Sequence, residues 1–123
     1  MAKSVLIVDD SSTMRKIVSR SLRQAGLDFG DIFEAGDGQQ AIDFLADQKV
    51  DIILSDINMP NMNGLDFLRA KSEIPDIKDI PVVIISTEGG ADIIGEATTL
   101  GAKGSIKKPF TADTVEEVLG PLL

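Results

Sequence analysis

Short β-branched and apolar runs, each followed by a stretch of helical periodicity, recur along the whole of this 123-residue chain and constrain its fold more than any other feature. Residues 4–8, Ser-Val-Leu-Ile-Val, end at Asp9-Asp10. Ser11 and Ser12 can cap a helix in which Met14, Ile17, Val18, Leu22 and Ala25 follow helical spacing, and Gly26 supplies the stop. Residues 32–35 form a weaker strand that turns at Gly36-Asp37-Gly38 into a helix from about 39 to 47. The next run, 51–55, is bounded by Pro60 and Gly64, which forbid its continuation. A third helix holds Leu65, Leu68 and Ile74, and Pro75 and Pro81 bracket the loop after it. A strand at 82–85 precedes a helix at 91–100 that stops at Gly101. A short strand at 105–107 breaks at Pro109, and Thr111 caps a last helix containing Val115, Val118 and Leu119.

A βα unit repeated in this way implies a parallel sheet with helices on both faces, joined by right-handed crossovers. Strands without alternation are buried on both sides, so 4–8, 51–55 and 82–85 belong in the centre, and 32–35 and 105–107 at the edges. Of the familiar doubly wound orders, five strands suit 2-1-3-4-5, the flavodoxin-like (βα)5 arrangement. The expected organisation is one α/β domain spanning 1–123.

Composition narrows the chemistry. The chain has no cysteine and no histidine, which removes disulfides, thiolates, the usual zinc ligands and the usual general base. A net charge of −8 argues against nucleic acid and against anionic membrane surfaces as partners. No stretch has the apolar length of a membrane span, and a cytoplasmic location is the economical expectation.

The 2-1-3-4-5 order makes the first and third strands neighbours, so Asp9, Asp10 and Asp56 should meet at one crevice on the C-terminal edge of the sheet. Three carboxylates so placed repel one another, and at least one holds a proton unless a cation is present. Hard oxygen donors without histidine or cysteine favour Mg²⁺. Ser86 and Lys108, at the ends of the fourth and fifth strands, would add a hydroxyl and a fixed positive charge. A cation, an ammonium and a hydroxyl together suit a transferring phosphoryl group, and a carboxylate there can be the nucleophile. Each residue also has an ordinary role open to it: helix-dipole partner for Asp9 and Asp10, turn residue for Ser86, solvated charge for Lys108. Their convergence from four strand ends weighs against coincidence.

Asp9-Asp10, Asp56 within Ser-Asp-Ile-Asn-Met-Pro-Asn-Met-Asn-Gly, Ser86-Thr87-Glu88 and Lys108-Pro109-Phe110 together resemble the response-regulator receiver family over the whole chain. The run from Val8 to Arg15 is most similar to its chemotaxis members. The resemblance implies that Asp56 accepts phosphate from a phosphohistidine on a sensor histidine kinase. It implies that Asp9, Asp10, Asp56 and the backbone carbonyl of Asn58 hold Mg²⁺, with Asp9 acting through water, and that Ser86 and Lys108 contact the phosphoryl group. It also implies a cis Lys108–Pro109 peptide, a monomer without external substrate turnover, and a protein output target such as a flagellar-switch or signalling protein. A phosphatase is a further implied partner, and the output face would include Asp92, Glu96, Lys103, Lys107, Glu116 and Glu117.

One position departs from the family: three residues before Lys108, where an aromatic is usual, the chain has Ser105, so the customary aromatic–hydroxyl coupling lacks its aromatic partner. Asn58 and Glu88 occupy the positions that line the path of the hydrolytic water, from which moderate self-dephosphorylation is expected. Two other classes compete. A haloacid-dehalogenase-type phosphohydrolase needs a second acid two residues after the nucleophile, where Asn58 stands. A flavodoxin-like cofactor binder needs a hydroxyl- and glycine-rich phosphate loop after the first strand, where two carboxylates stand. A receiver serving as a docking module or phosphate sink is the third alternative. The Met1 start favours a stand-alone regulator over an excised domain.

Overall fold

The apolar runs become the middle of a sheet because they can be buried on both faces. Val5, Leu6, Ile7 and Val8 are fully buried, as are Ile52, Ile53, Leu54, Val82, Val83 and Ile84. In the computed structural model, which describes residues 3–26, 29–86, 91–107 and 112–122, five parallel strands lie in the order 2-1-3-4-5. They are β1 (Lys3–Val8), β2 (Phe29–Ala35), β3 (Ile52–Asp56), β4 (Val82–Ser86) and β5 (Gly104–Lys107). The helices are α1 (Ser12–Gln24), α2 (Gly38–Asp47), α3 (Gly64–Ser72), α4 (Ala91–Thr99) and α5 (Ala112–Leu119), closed by a 3-10 turn at Gly120–Leu122.

Alternation along the strands sorts the core into two layers. Val5, Ile7, Ile52, Leu54, Val83 and Ile85 face α1 and α5, where Val18, Leu22, Val115 and Leu119 meet them. Leu6, Val8, Ile53, Val82 and Ile84 face the other way, against Ala41, Leu45, Phe67, Leu68 and Ala97 of α2, α3 and α4. Each central strand therefore needs apolar residues at every position, which explains runs without alternation.

Helix ends follow the local chemistry. Ser11 caps α1 by accepting from the Met14 N–H, and Gly26 leaves the helix at φ +76. Gly101 does the same after α4 at φ +111. Two boundaries and one burial differ from expectation. β2 starts at Phe29, because that ring is buried in the layer that faces α1 and α5 although Gly30 and Asp31 interrupt the apolar pattern. α3 ends at Ser72, so Ile74 packs from the turn that follows and not from the helix. Ile17, at helical spacing with the core residues of α1, is 41% exposed, because the apolar stripe is narrower than its sequence suggests. The expected cap at Thr111 lies outside the described residues.

Candidate functional site

Register places the acids. Val8 is paired with Ser55, so the next residue along each strand, Asp9 and Asp56, lies in the same row at the C-terminal edge of the sheet. Asp56 lies opposite Ile85 on β4. Ser86 stands one residue further along and is paired with Lys107. Oxygen atoms of Asp9, Asp10 and Asp56 lie within 4.8 Å of one another. Asp9 is buried, Asp56 is partly buried and Asp10 is exposed. The expected convergence of these three carboxylates is present. Ser86 ends β4 as expected, whereas Lys108, the Lys108–Pro109 peptide and Glu88 lie outside the described residues.

The loops that carry the acids are held by short-range bonds. Asp9 accepts at Oδ1 from the Ser11 N–H (2.9 Å), which turns the chain from β1 into α1. Asp56 accepts at Oδ1 from the Ile57 N–H (2.8 Å), and its own carbonyl accepts from the hydroxyl of fully buried Ser55 (2.9 Å). Beyond Asp56, Ile57 and Met59 are buried while Asn58 between them is exposed. The Gly64 N–H returns to the Ile57 carbonyl (2.8 Å), bringing its Cα against the Asp56 peptide. A Cβ at Gly64 would lie 2.4 Å from the Asp56 carbonyl oxygen, so only glycine fits this close approach.

Sequence reasoning missed several residues around the acids. Arg15 donates through Nε to Glu34 (2.9 Å) and through Nη1 to the Asp9 carbonyl (2.5 Å). Asp37, only 3% exposed, caps α2 by accepting from the Gln40 N–H (2.8 Å) and also accepts from the Asn61 amide (2.9 Å). Those two donors, the Gln40 N–H first, hold the Asp37 carboxyl below its ordinary value. Asn61 sits at φ +63, the left-handed region that asparagine tolerates. A local signal for Asp37 existed: an acid three residues before Gln40 is a cap pattern, and Gln40 Oε1 accepts back from the Gly36 N–H (2.8 Å). The bond to Asn61 had no local signal.

The all-oxygen donor set, with side chains from two strands and no competing nitrogen or sulfur ligand, fits a hard divalent cation. Residues 5–119 match the family described as the response regulator receiver domain. The chain belongs to that family. As a receiver it is 42% identical over 113 residues to the chemotaxis protein CheY of Pseudomonas aeruginosa, covering 92% of this chain and 90% of that one. It is 43% identical over 115 residues to CheY-3 of Vibrio cholerae, covering 94% and 87%. Among solved structures, CheY4 of Vibrio cholerae superposes with a TM-score of 0.87 at 33% identity over the full length of both chains. At the position of the family's strand-five aromatic, the receiver has Ser105 paired with Ile84 and partly exposed.

Proposed function

We propose that this receiver accepts a phosphoryl group on Asp56 from the phosphohistidine of a sensor histidine kinase and relays the signal to a protein partner, in chemotaxis or motility. The observation that carries the proposal is the cluster of Asp9, Asp10 and Asp56 at neighbouring strand ends in a chain of this family. An Asp56 carboxylate oxygen attacks phosphorus, the P–N bond breaks, and the imidazole leaves with its electron pair and takes up a proton. Asp9, Asp10, Asp56 and the Asn58 carbonyl would hold Mg²⁺, which when bound offsets the charge gathered on the acids and the phosphoryl oxygens. Ser55 and Gly64 fix the Asp56 peptide so that the nucleophile is already oriented. Ser86 would donate to a phosphoryl oxygen and Lys108 would pair with it. Asn58 and Glu88 would admit the hydrolytic water, giving moderate self-dephosphorylation that Asn58→Ala and Glu88→Ala should alter.

On this reading residues 1–123 are one domain, a cytoplasmic monomer that turns over no external substrate. Two features support it: the family match spans 5–119, and no helix among the described residues is long and apolar enough to cross a membrane. Output would leave through α4, β5 and α5, where Lys103, Glu116 and Glu117 are exposed and where Glu96 is partnered by Arg69 of α3 (2.7 Å). A flagellar-switch protein and a phosphatase are the partners this face would serve. Ser105 favours a second reading, in which the receiver stores phosphate or docks without the aromatic switch.

Incubation with Mg²⁺ and a small phosphodonor, followed by intact-mass analysis, tests the acceptor. A single alkali-labile phosphoryl adduct is expected, and its loss in Asp56→Asn. An adduct undiminished in Asp56→Asn rejects Asp56 as the acceptor; no adduct with donor or kinase favours docking.

A further inference from the structure

The acids come from β1 and β3, but much of what holds their loops comes from the end of β2. Sheet order places β2 at the edge beside β1, so residues 34–38 must reach across the end of β1 to touch the loop after β3. They do so in pairs. The Ala35 carbonyl accepts from the Asp9 N–H (3.1 Å), and Glu34 holds Arg15, which donates to the Asp9 carbonyl. Both sides of the Asp9 peptide are thereby tied to β2. Beyond β1, the Gly38 N–H donates to the Met62 carbonyl (2.9 Å), and Asp37 Oδ2 accepts from the Asn61 amide. The fit is close: a Cβ on Gly38 would lie 2.8 Å from the Met62 carbonyl oxygen.

Helix capping explains only half of Asp37. Its Oδ1 serves the Gln40 N–H, a task an asparagine would perform as well. The second oxygen is committed to Asn61, the residue of the β3–α3 loop whose backbone is in the left-handed region. Asn61 lies three residues from Asn58. Without the bond from Asp37, Asn61 is free to relax toward negative φ, and the turn between Asn58 and Met62 changes with it.

We propose that Asp37 is a positioning residue for the metal site: through Asn61 it sets the shape of the β3–α3 loop, and with it the placement of the Asn58 carbonyl relative to Asp56. This rests on the reading of the acid cluster as a Mg²⁺ site. Metal affinity then depends on a carboxylate outside the donor set, in the way that supporting hydrogen bonds tune other metal centres.

Two variants separate the latch from the cap. Asp37→Ser keeps one oxygen for the Gln40 N–H and has no second oxygen for Asn61, whereas an asparagine could be met by a flipped Asn61 amide. Asn61→Gly keeps the freedom to adopt positive φ and removes the amide. The chain has no tryptophan or tyrosine, so Mg²⁺ binding is followed by calorimetry, and amide hydrogen exchange is read on the metal-free protein. Each single variant should weaken Mg²⁺ binding about tenfold, and the double variant no further than either single one. The Gly64 amide should exchange faster in both. Gly26→Ala, strained at the far end of α1, should lose stability but leave Mg²⁺ binding unchanged. Binding within about twofold of wild type in both single variants, additive losses in the double variant, or an equal loss in Gly26→Ala overturns the proposal. A wild-type protein that takes no Mg²⁺ rejects the functional reading itself and this inference with it. Normal wild-type binding with unaffected variants rejects only the inference.

Discussion

At Gly64 a single missing methyl group decides whether the Asp56 peptide can take its place. An added Cβ would meet the Asp56 carbonyl oxygen at 2.4 Å and the Ile57 Cα at 2.9 Å, and both are backbone atoms that cannot rotate aside. Gly64→Ala should therefore displace the Asp56 peptide and cost about 1–3 kcal/mol, as overpacking does. Urea unfolding should show the lower midpoint, and phosphodonor labelling of Asp56 should slow. Normal labelling in a folded Gly64→Ala protein would mean that the close approach does not govern the acceptor. Asp37 gives a pH dependence with a definite sign. Its carboxyl is held below the ordinary 3.8 by the Gln40 and Asn61 donors, so the folded state favours the charged form. That stabilisation is fully present above the unfolded value and is lost as pH falls through the folded one. Asp37→Asn should be less stable than wild type at neutral pH, and the gap should begin to narrow below about pH 4. Urea midpoints measured from pH 7 to pH 3 check this; a gap that stays constant would show that charge is not involved.

Among the helices, α4 is the one whose sequence least favours helix. Gly95 stands in its middle with nothing within 4 Å of where a Cβ would be. Thr98 and Thr99 turn their hydroxyls back to the Ile94 and Gly95 carbonyls, a pattern that weakens or bends helices. Gly95→Ala should stabilise the protein by about 0.5–1 kcal/mol, read as a higher urea midpoint at unchanged slope. A neutral or negative result would show that helix propensity at Gly95 does not limit stability. The elements readable from sequence alone were those set by one strong local signal. Double-sided burial made β1, β3 and β4 unmistakable, and Ser11, Gly26 and Gly101 marked helix ends. Sheet order followed from the repeated βα unit and the number of strands, and with it the meeting of Asp9, Asp10 and Asp56. What escaped was set by distant partners. Phe29 joins β2 because it finds an apolar layer, Ile17 is left outside because α1 meets its layer along a narrow stripe, and Arg15–Glu34 and Asp37–Asn61 join residues 19 and 24 apart in sequence. No periodicity encodes such pairs.

For the molecule as a whole, the proposed role of the acid cluster sets stability against function. Three carboxylates with oxygens within 4.8 Å repel one another in the metal-free protein, and the fold must hold them together. Functional sites are often the strained, destabilised part of a fold. A cation bound only by the folded state adds about 2.7 kcal/mol at a hundredfold excess over its dissociation constant. For a domain of this size that corresponds to a rise in Tm of about 10 °C on replacing EDTA by saturating Mg²⁺. Asp10→Asn separates the two effects, because Asp10 is exposed and its amide is close to isosteric. Without metal the variant should melt above wild type, since one of the mutually repelling acids is gone. With Mg²⁺ the order should reverse, since one donor is gone as well. Thermal melts of both proteins in EDTA and in saturating Mg²⁺ give the four values needed. A wild-type Tm that ignores Mg²⁺ would reject the metal site, and an Asp10→Asn protein that melts below wild type in EDTA would show that Asp10 is held by attraction and not merely tolerated beside its neighbours.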